Sequence, residues 1–374
     1  MEEWLLSGVN TEAVIGLAKE EVFPTLERRY SDGVFSRDLW RKMGSAGFFG
    51  FTVSKEYGGN EGSPEDLTIA LREFTEHGLD LGVTLSWITH LCLCVKSIED
   101  FGTEEQKEKY IPGLVYGELV GAAAFSEPET RAHPGGMRTT AKRYGEGYRI
   151  NGKKIYVTGG PVADVLVTLA VTGGGEGNIK ELTTFLVETS SPGVKIERMD
   201  LNFLRTSPHA TIEFEDLEVP DTAVLGKIGK GHSEASRTAF ARERALVLSA
   251  LCGLFQGAVG EISNRFRQKY EGLRLEGPEA GSWIHHLSAI EAYRHLTVEL
   301  TKKAFSSYIE WKDSLGLLIY LGMSYAKWAY WLEEFASLHS IEVKFPLNVI
   351  LNDIKLVLVN EGLLFKEGKK MYLS

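Results

Sequence analysis

The spacing of apolar residues changes twice along this chain, and those two changes restrict its fold more than any other property. Up to residue 119, apolar side chains recur at helical spacing, as in TEAVIGLAKEEVFPTL and RDLWRKMGSAGFFGF. Ser36 stands before Arg37-Asp38-Leu39 as an N-cap, and SPEDLTIALREFTEHG opens with the proline and acidic residues that suit a first helical turn. Near residue 120 the period shortens. GYRINGKKIYVTGG alternates apolar and polar residues around Asn151-Gly152, a pattern that predicts a hairpin turning there. ADVLVTLAVT, LTTFLVET, GVKIERMD and ATIEFEDLEVP continue as β-like runs split by glycine and proline. After GKIGKGH the helical period returns and holds in SEASRTAFARERALVLSALCGLFQGAVGEISNRFRQKYEG, in SWIHHLSAIEAYRHLTVELTKKAFSSYIEW and around 316–338. The predicted organisation is helical over 1–119, β over 120–230 and helical over 231–374, an α+β fold that ends in a helical bundle.

Bulk properties remove several function classes. A chain of 374 residues with 43% hydrophobic and 25% charged residues can bury a large core. Its net charge of -10 argues against nucleic-acid binding, which needs a basic face. Cys92 and Cys94 are too close in sequence for an ordinary bridge, and no second cysteine pair accompanies them, so neither a disulfide nor a zinc site is expected. Buried free thiols in a reducing compartment are the expectation. MEEWLLSGVN lacks the basic-then-apolar order of a signal peptide. LGLLIYLGMSYA (315–326) is too short to span a bilayer and reads as a buried helix. A cytoplasmic protein with no membrane segment is predicted.

An ordered series of short fragments is more specific than any of this. They are VSKEYGG (53–59), FGTEEQKEKYIPGLVYGEL (101–119), AAFSEPE (123–129), GYRINGKKIYVTGG (147–160), FEDLEVP…LGKIGKGH (214–232), ARERALVLSALCG (241–253) and NDIKLVLVNEG (352–362). In this order and at these spacings the chain resembles the acyl-CoA dehydrogenase family. The resemblance implies an N-terminal helical domain, a middle β-barrel or sandwich and a C-terminal four-helix bundle. It also implies an FAD cofactor, an acyl-CoA substrate, an oligomer, and an electron-transfer flavoprotein as electron acceptor. The implied reaction removes the α-hydrogen as a proton and the β-hydrogen as a hydride, giving a trans-2-enoyl thioester. Such chemistry needs a carboxylate base, hydrogen bonds to the thioester carbonyl and a rigidly held flavin.

The resemblance carries roles to particular residues. The family's usual catalytic glutamate falls on Glu361, in NDIKLVLVNEG. Taken by itself, Glu361 reads as an exposed glutamate near a helix end. Glu243 is the second candidate base, because ARERALVLSALCG resembles the bundle helix in which isovaleryl-type and long-chain members carry theirs. Its plain structural reading is an ion-pair partner of Arg242 or Arg244. Arg244 matches an arginine that positions acyl-CoA and base. For the flavin, Ala123 and Phe125 match residues lining the ring, and Ser126 replaces a threonine that bonds the pyrimidine side. Tyr156 matches an aromatic packed on the ring, Val157 follows it, and Thr158 matches a hydroxyl near N5. As residue types alone, Tyr156 and Thr158 are ordinary strand residues. The stretch TLSWITHLCLC is expected to line part of the acyl pocket, where a bulky Trp87 suggests a short or branched acyl group.

Departures from the family pattern are equally informative. Arg131-Ala132-His133 replaces the Gly-Ser-Asp whose serine contacts CoA, leaving Arg131 as a possible phosphate ligand. Lys269 falls roughly where an arginine normally reaches across a dimer to the neighbour's flavin. ASLHSI (336–341) replaces a glycine-rich loop with the same task, and Asn352 and Asn360 replace an arginine and a tyrosine. The residues a subunit keeps for its own flavin are mostly present, and those it lends are mostly absent. Three readings follow. The first is an FAD-dependent acyl-CoA dehydrogenase. The second is a non-catalytic or half-site subunit of a heteromeric acyl-CoA dehydrogenase complex. The third is an oxidase, or a dehydrogenase acting on a carrier-protein thioester.

Overall fold

The computed structural model of the chain describes residues 11–130, 134–174, 180–269, 277–307, 310, 312–343 and 345–360. The first helical region holds α1 (Thr11–Leu17), α2 (Leu26–Asp32), α3 (Arg37–Ser45), α4 (Pro64–Gly78), α5 (Leu81–Thr89), α6 (Lys96–Phe101) and α7 (Glu104–Val115). Among the described residues eight strands follow: β1 (Gly121–Ala124), β2 (Thr140–Tyr144), β3 (Gly147–Thr158), β4 (Val165–Gly174), β5 (Lys180–Glu188), β6 (Val194–Met199), β7 (His209–Pro220) and β8 (Val224–Leu225). The chain then returns to helix in α8 (Arg237–Lys269), α9 (Gly277–Ser306), α10 (Leu315–Leu338) and α11 (Leu347–Asn360). The helical, β, helical order of the periodicity is the order of the fold. Ser36 caps α3 as its sequence predicts, its hydroxyl accepting from Leu39 N at 3.2 Å.

The chain divides into two compact units, one comprising Met1–Ser31, Pro64–Thr84 and Arg244–Ser374, the other Asp32–Ser63 and Leu85–Glu243. The second unit is built on one mixed sheet in the order β6-β7-β3-β2-β4-β5-β8, with β1 parallel to β4. Tyr148, Ile150, Phe185, Ile212, Phe214 and Leu217 fill the core of this sheet. Each such side chain contributes roughly 1.5–3 kcal/mol on burial.

The hairpin lies elsewhere than Asn151-Gly152. Tyr144 pairs with Gly147, so the turn is Gly145-Glu146, and Gly145 takes the left-handed φ of 57° that the turn requires. Asn151 and Gly152 instead fall at a bulge between β3 and β7. There the Asn151 amide exchanges hydrogen bonds with Asp216, at 3.1 Å to its carboxylate and 2.8 Å from its backbone N–H.

Trp87 is also not where a pocket wall was expected. It is fully buried in its unit's core, stacked 4.9 Å from Phe48, and its indole N–H donates to the Phe48 carbonyl at 2.9 Å. Its bulk therefore carries no information on acyl length. A π-helical turn (His90–Val95) follows α5. Within it, buried His90 accepts from Gly121 N at 2.9 Å and donates to the Leu114 carbonyl at 3.1 Å. This neutral imidazole ties the end of α7 to the start of β1. Burial pushes its pKa down to about 4.

The first unit is helical. Arg29 and Asp80 form a buried pair at 2.5 Å, and Tyr30 donates to Asp353 on α11 at 2.9 Å. Phe255, Trp328 and Tyr293 stack in succession with ring separations of 4.7 Å. Helices α4 and α8 approach so closely that a Cβ on Gly253 would lie 2.1 Å from the Arg72 carbonyl oxygen.

All three cysteines are buried. Burial pushes the thiol pKa values of Cys92 and Cys94 to about 12 and that of Cys252 to about 11, which makes them poor nucleophiles. Leu81–Phe101 and His232–Lys269 are long and apolar enough to cross a membrane, but 89% and 78% of their apolar windows are buried inside the protein.

Candidate active site

The segment after β1 and the end of β3 lie side by side. Ile155 N donates to the Ser126 carbonyl at 2.9 Å, which brings Phe125 and Ser126 beside Tyr156. A buried ion pair reinforces the join. Lys154 Nζ donates to Glu127 Oε1 at 2.8 Å and to the Phe125 carbonyl at 3.3 Å. Its side chain has 0% exposure and that of Glu127 has 4%. Glu127 also accepts from Arg138 N at 2.6 Å and Thr139 N at 3.0 Å. Burial pushes the Glu127 carboxyl up, but Lys154 and these donors outweigh it, so its pKa is lowered. Burial takes Lys154 down to about 8 against the pull of Glu127, so both groups are charged at neutral pH. A buried pair this well bonded acts as a clamp, fixing the Ser-Glu-Pro segment to β3.

Beyond Lys154 the β3/β7 register slips before Val157 pairs with Ala210 and Thr158 with His209. The slip turns Tyr156 outward with φ of 53°, and 54% of it is exposed. A bulky residue in the left-handed region is strained, and such strain concentrates at functional sites. Val157 is buried, whereas Ala123, Ser126 and Thr158 are half-buried. An outward aromatic held in a strained backbone, flanked by two half-buried hydroxyls, suits the face of a planar heteroaromatic ring. The residues present therefore fit a flavin. Ser126 and Thr158 would bond its polar edge, Tyr156 would pack on its ring, and Ala123 leaves room beside it.

The candidate bases fare differently. Glu361 lies outside the described residues, as do Arg131 and His133 of the stretch that departs from the family pattern. Glu243 is half-buried on α8. The Phe125 ring meets the edge of Phe240 at 5.6 Å, which sets the first turns of α8 against the clamped segment. Glu243 is three residues beyond Phe240 and shares that helix face by spacing. Its neighbour Arg242 is buried and bonds Asp100 at 2.6 Å. Arg244 is half-buried one residue further on.

Sequence reading missed the roles of Lys154, Glu127 and His209. A lysine at an inward register of β3 was the available signal for the clamp. His209 meets Thr158 only through strand pairing, which no local pattern reveals.

Comparison with known proteins shows the family. Residues 11–118 match the family profile of the acyl-CoA dehydrogenase N-terminal domain, and residues 122–217 match that of the middle domain. A short-chain-specific acyl-CoA dehydrogenase of Clostridium acetobutylicum is 34% identical over 283 residues, covering 75% of this chain and 74% of that protein. The chain belongs to the acyl-CoA dehydrogenase family, whose members are FAD-dependent oxidoreductases. An L-prolyl-[peptidyl-carrier protein] dehydrogenase of Serratia sp. is also 34% identical, over 206 residues, covering 55% of this chain and 53% of its own length. Among solved structures, a prolyl acyl carrier protein oxidase shares the fold with a TM-score of 0.82 at 24% identity, covering 92% of each chain.

The segments that depart from the family pattern have their own arrangement. Lys269 Nζ donates to the carbonyls of His339 and Ser340 at 2.9 and 2.7 Å. Arg265 donates to those of Glu342 and Phe345 at 2.9 and 3.2 Å. Both cations thus satisfy carbonyls at and beyond the C-terminal end of α10 within their own chain.

Proposed function

We propose that this chain, in the cytoplasm, dehydrogenates an acyl-CoA between Cα and Cβ and delivers the electrons to an electron-transfer flavoprotein. The observation that carries the reading is the Phe125–Phe240 contact, because it sets a glutamate-bearing helix against the segment suited to a flavin. In the reaction a carboxylate takes the α-proton, and the β-hydrogen leaves with its electron pair. FAD, when bound, supplies the two-electron sink. Glu361 is the proposed base by its match to the family, and Glu243 is the alternative on the α8 face. Arg244 and Arg131 would orient the thioester, and the Lys154–Glu127 clamp keeps the ring-facing residues in register. Glu361→Gln should abolish bleaching of the flavin by acyl-CoA while leaving flavin content intact. If activity persists in that variant and disappears in Glu243→Gln, the base is Glu243. Presenting the same acyl groups on CoA and on a carrier protein decides the thioester handle, and bleaching by neither would refute the reaction.

One observation favours a second reading, a half-site subunit completed by a related partner. Lys269 is engaged with the end of α10, and Arg265 with the segment beyond it. A homodimer would then lack the cation that family members extend to the neighbouring flavin. The chain expressed alone and run on a sizing column should then be colourless. A yellow homo-oligomer with near-stoichiometric flavin would rule the half-site out.

A further inference from the structure

Thr158 is paired across the sheet with a histidine, and the hydrogen bonds of that histidine leave little freedom to the threonine. His209 Nδ1 lies 2.8 Å from the Ser207 carbonyl oxygen, and Nε2 lies 3.2 Å from Thr158 Oγ1. A carbonyl can only accept, so Nδ1 carries a proton. His209 is 7% exposed, and burial disfavours its charged form. A neutral imidazole has one N–H, so Nε2 presents a lone pair. The Thr158 hydroxyl must therefore donate to Nε2. Its only proton is then committed, and its remaining capacity is as an acceptor. Ser207 is itself held, since its hydroxyl bonds that of Ser86 at 2.8 Å in the core of the same unit. The run from the Thr158 hydroxyl through His209 to the Ser207 carbonyl is thus directional.

We propose that His209 is a positioning residue that fixes the Thr158 hydroxyl as an acceptor toward the flavin and so favours the reduced cofactor over the oxidised one. The inference rests on the reading above that Thr158 faces the flavin near N5. Oxidised N5 bears a lone pair and needs a donor. Reduced N5 bears a hydrogen and needs an acceptor. With its proton held by His209, Thr158 satisfies the reduced form and leaves the oxidised form unpaired. An untethered threonine could rotate and serve either. A hydrogen-bond mismatch of this kind shifts the balance between two forms by about one power of ten.

The test is the midpoint potential of the FAD-loaded protein in wild type, His209→Phe, Thr158→Val and the double variant. His209→Phe should lower the equilibrium constant for two-electron reduction about tenfold, a fall of about 30 mV for a two-electron couple. The His209 substitution should have no further effect in the Thr158→Val background. If Thr158→Val shifts the potential and His209→Phe does not, the proposal is overturned and the placement of Thr158 at the flavin stands. If neither shifts it, that placement fails and the proposal with it. Should His209→Phe not fold, the imidazole 15N shifts of the wild-type holoenzyme decide. The neutral Nδ1–H tautomer supports the proposal, and an Nε2–H or doubly protonated ring overturns it.

Discussion

Replacing Lys154 with methionine isolates what the buried clamp contributes. Methionine keeps the length and most of the volume of the lysine stem, so little cavity is opened. What disappears is the charge-assisted bond to Glu127 at 2.8 Å and the weaker one to the Phe125 carbonyl at 3.3 Å. Glu127 is left buried without its cation, and burial then pushes its carboxyl up. Removing one partner of a buried pair costs about 3–5 kcal/mol. Glu127 keeps two backbone donors, Arg138 N and Thr139 N, which places the expectation at the lower end, about 3 kcal/mol. The assay is urea unfolding at pH 7 followed by tryptophan fluorescence, with flavin content measured on the same samples. Lys154→Met should lower the unfolding free energy by that amount and weaken FAD retention, because Phe125 and Ser126 are then held to β3 less firmly, through the Ile155 N–Ser126 carbonyl bond. An unchanged midpoint with full flavin would refute the reasoning, since the pair would then be energetically neutral and the segment held by other means.

Other expectations concern pH and caps. His90 has a folded pKa of about 4, below the ordinary 6.5, so the unfolded chain binds the extra proton first. Stability should fall by about 3 kcal/mol as pH drops from 6.5 to 4. An NMR titration showing His90 protonating near 6.5 would contradict this. Glu76 shows the opposite sign, because burial, with Glu73 nearby, raises it from 4.5 to about 7. Its contribution is lost as pH rises from 4.5 through 7. Glu76→Gln should therefore match wild type at pH 4.5 and exceed it by about 2 kcal/mol at pH 8, read from urea midpoints. Ser36→Ala should cost about 1 kcal/mol by the same assay, through loss of the N-cap of α3.

The helical, β, helical order and the α3 cap were legible in the sequence because each follows from local periodicity or a local hydrogen bond. The hairpin was misplaced for an equally local reason. Asn-Gly is a strong turn former, but Gly145 can adopt the same left-handed backbone, and Asn151 finds a better partner in Asp216 on the neighbouring strand. Trp87 was misread because an apolar helix face gives no sign of whether it meets a pocket or, as here, Phe48. In the candidate site, Ser126, Tyr156 and Thr158 were singled out by their matched context. The slip in the β3/β7 register that turns Tyr156 outward, and the pairing of Thr158 with His209, arise from strands separated by about fifty residues of chain, beyond the reach of local pattern.

The backbone at Tyr156 has a consequence for anyone who improves this protein by selection. Glycine accepts a φ of 53° without steric conflict, so Tyr156→Gly relieves a strain of order 1 kcal/mol and removes an aromatic side chain from the surface. With Tyr156 packed on the flavin as proposed, a screen for heat tolerance or solubility should favour that substitution, and a screen for colour should discard it. Variants ranked by the two criteria should come out in opposite order at this position.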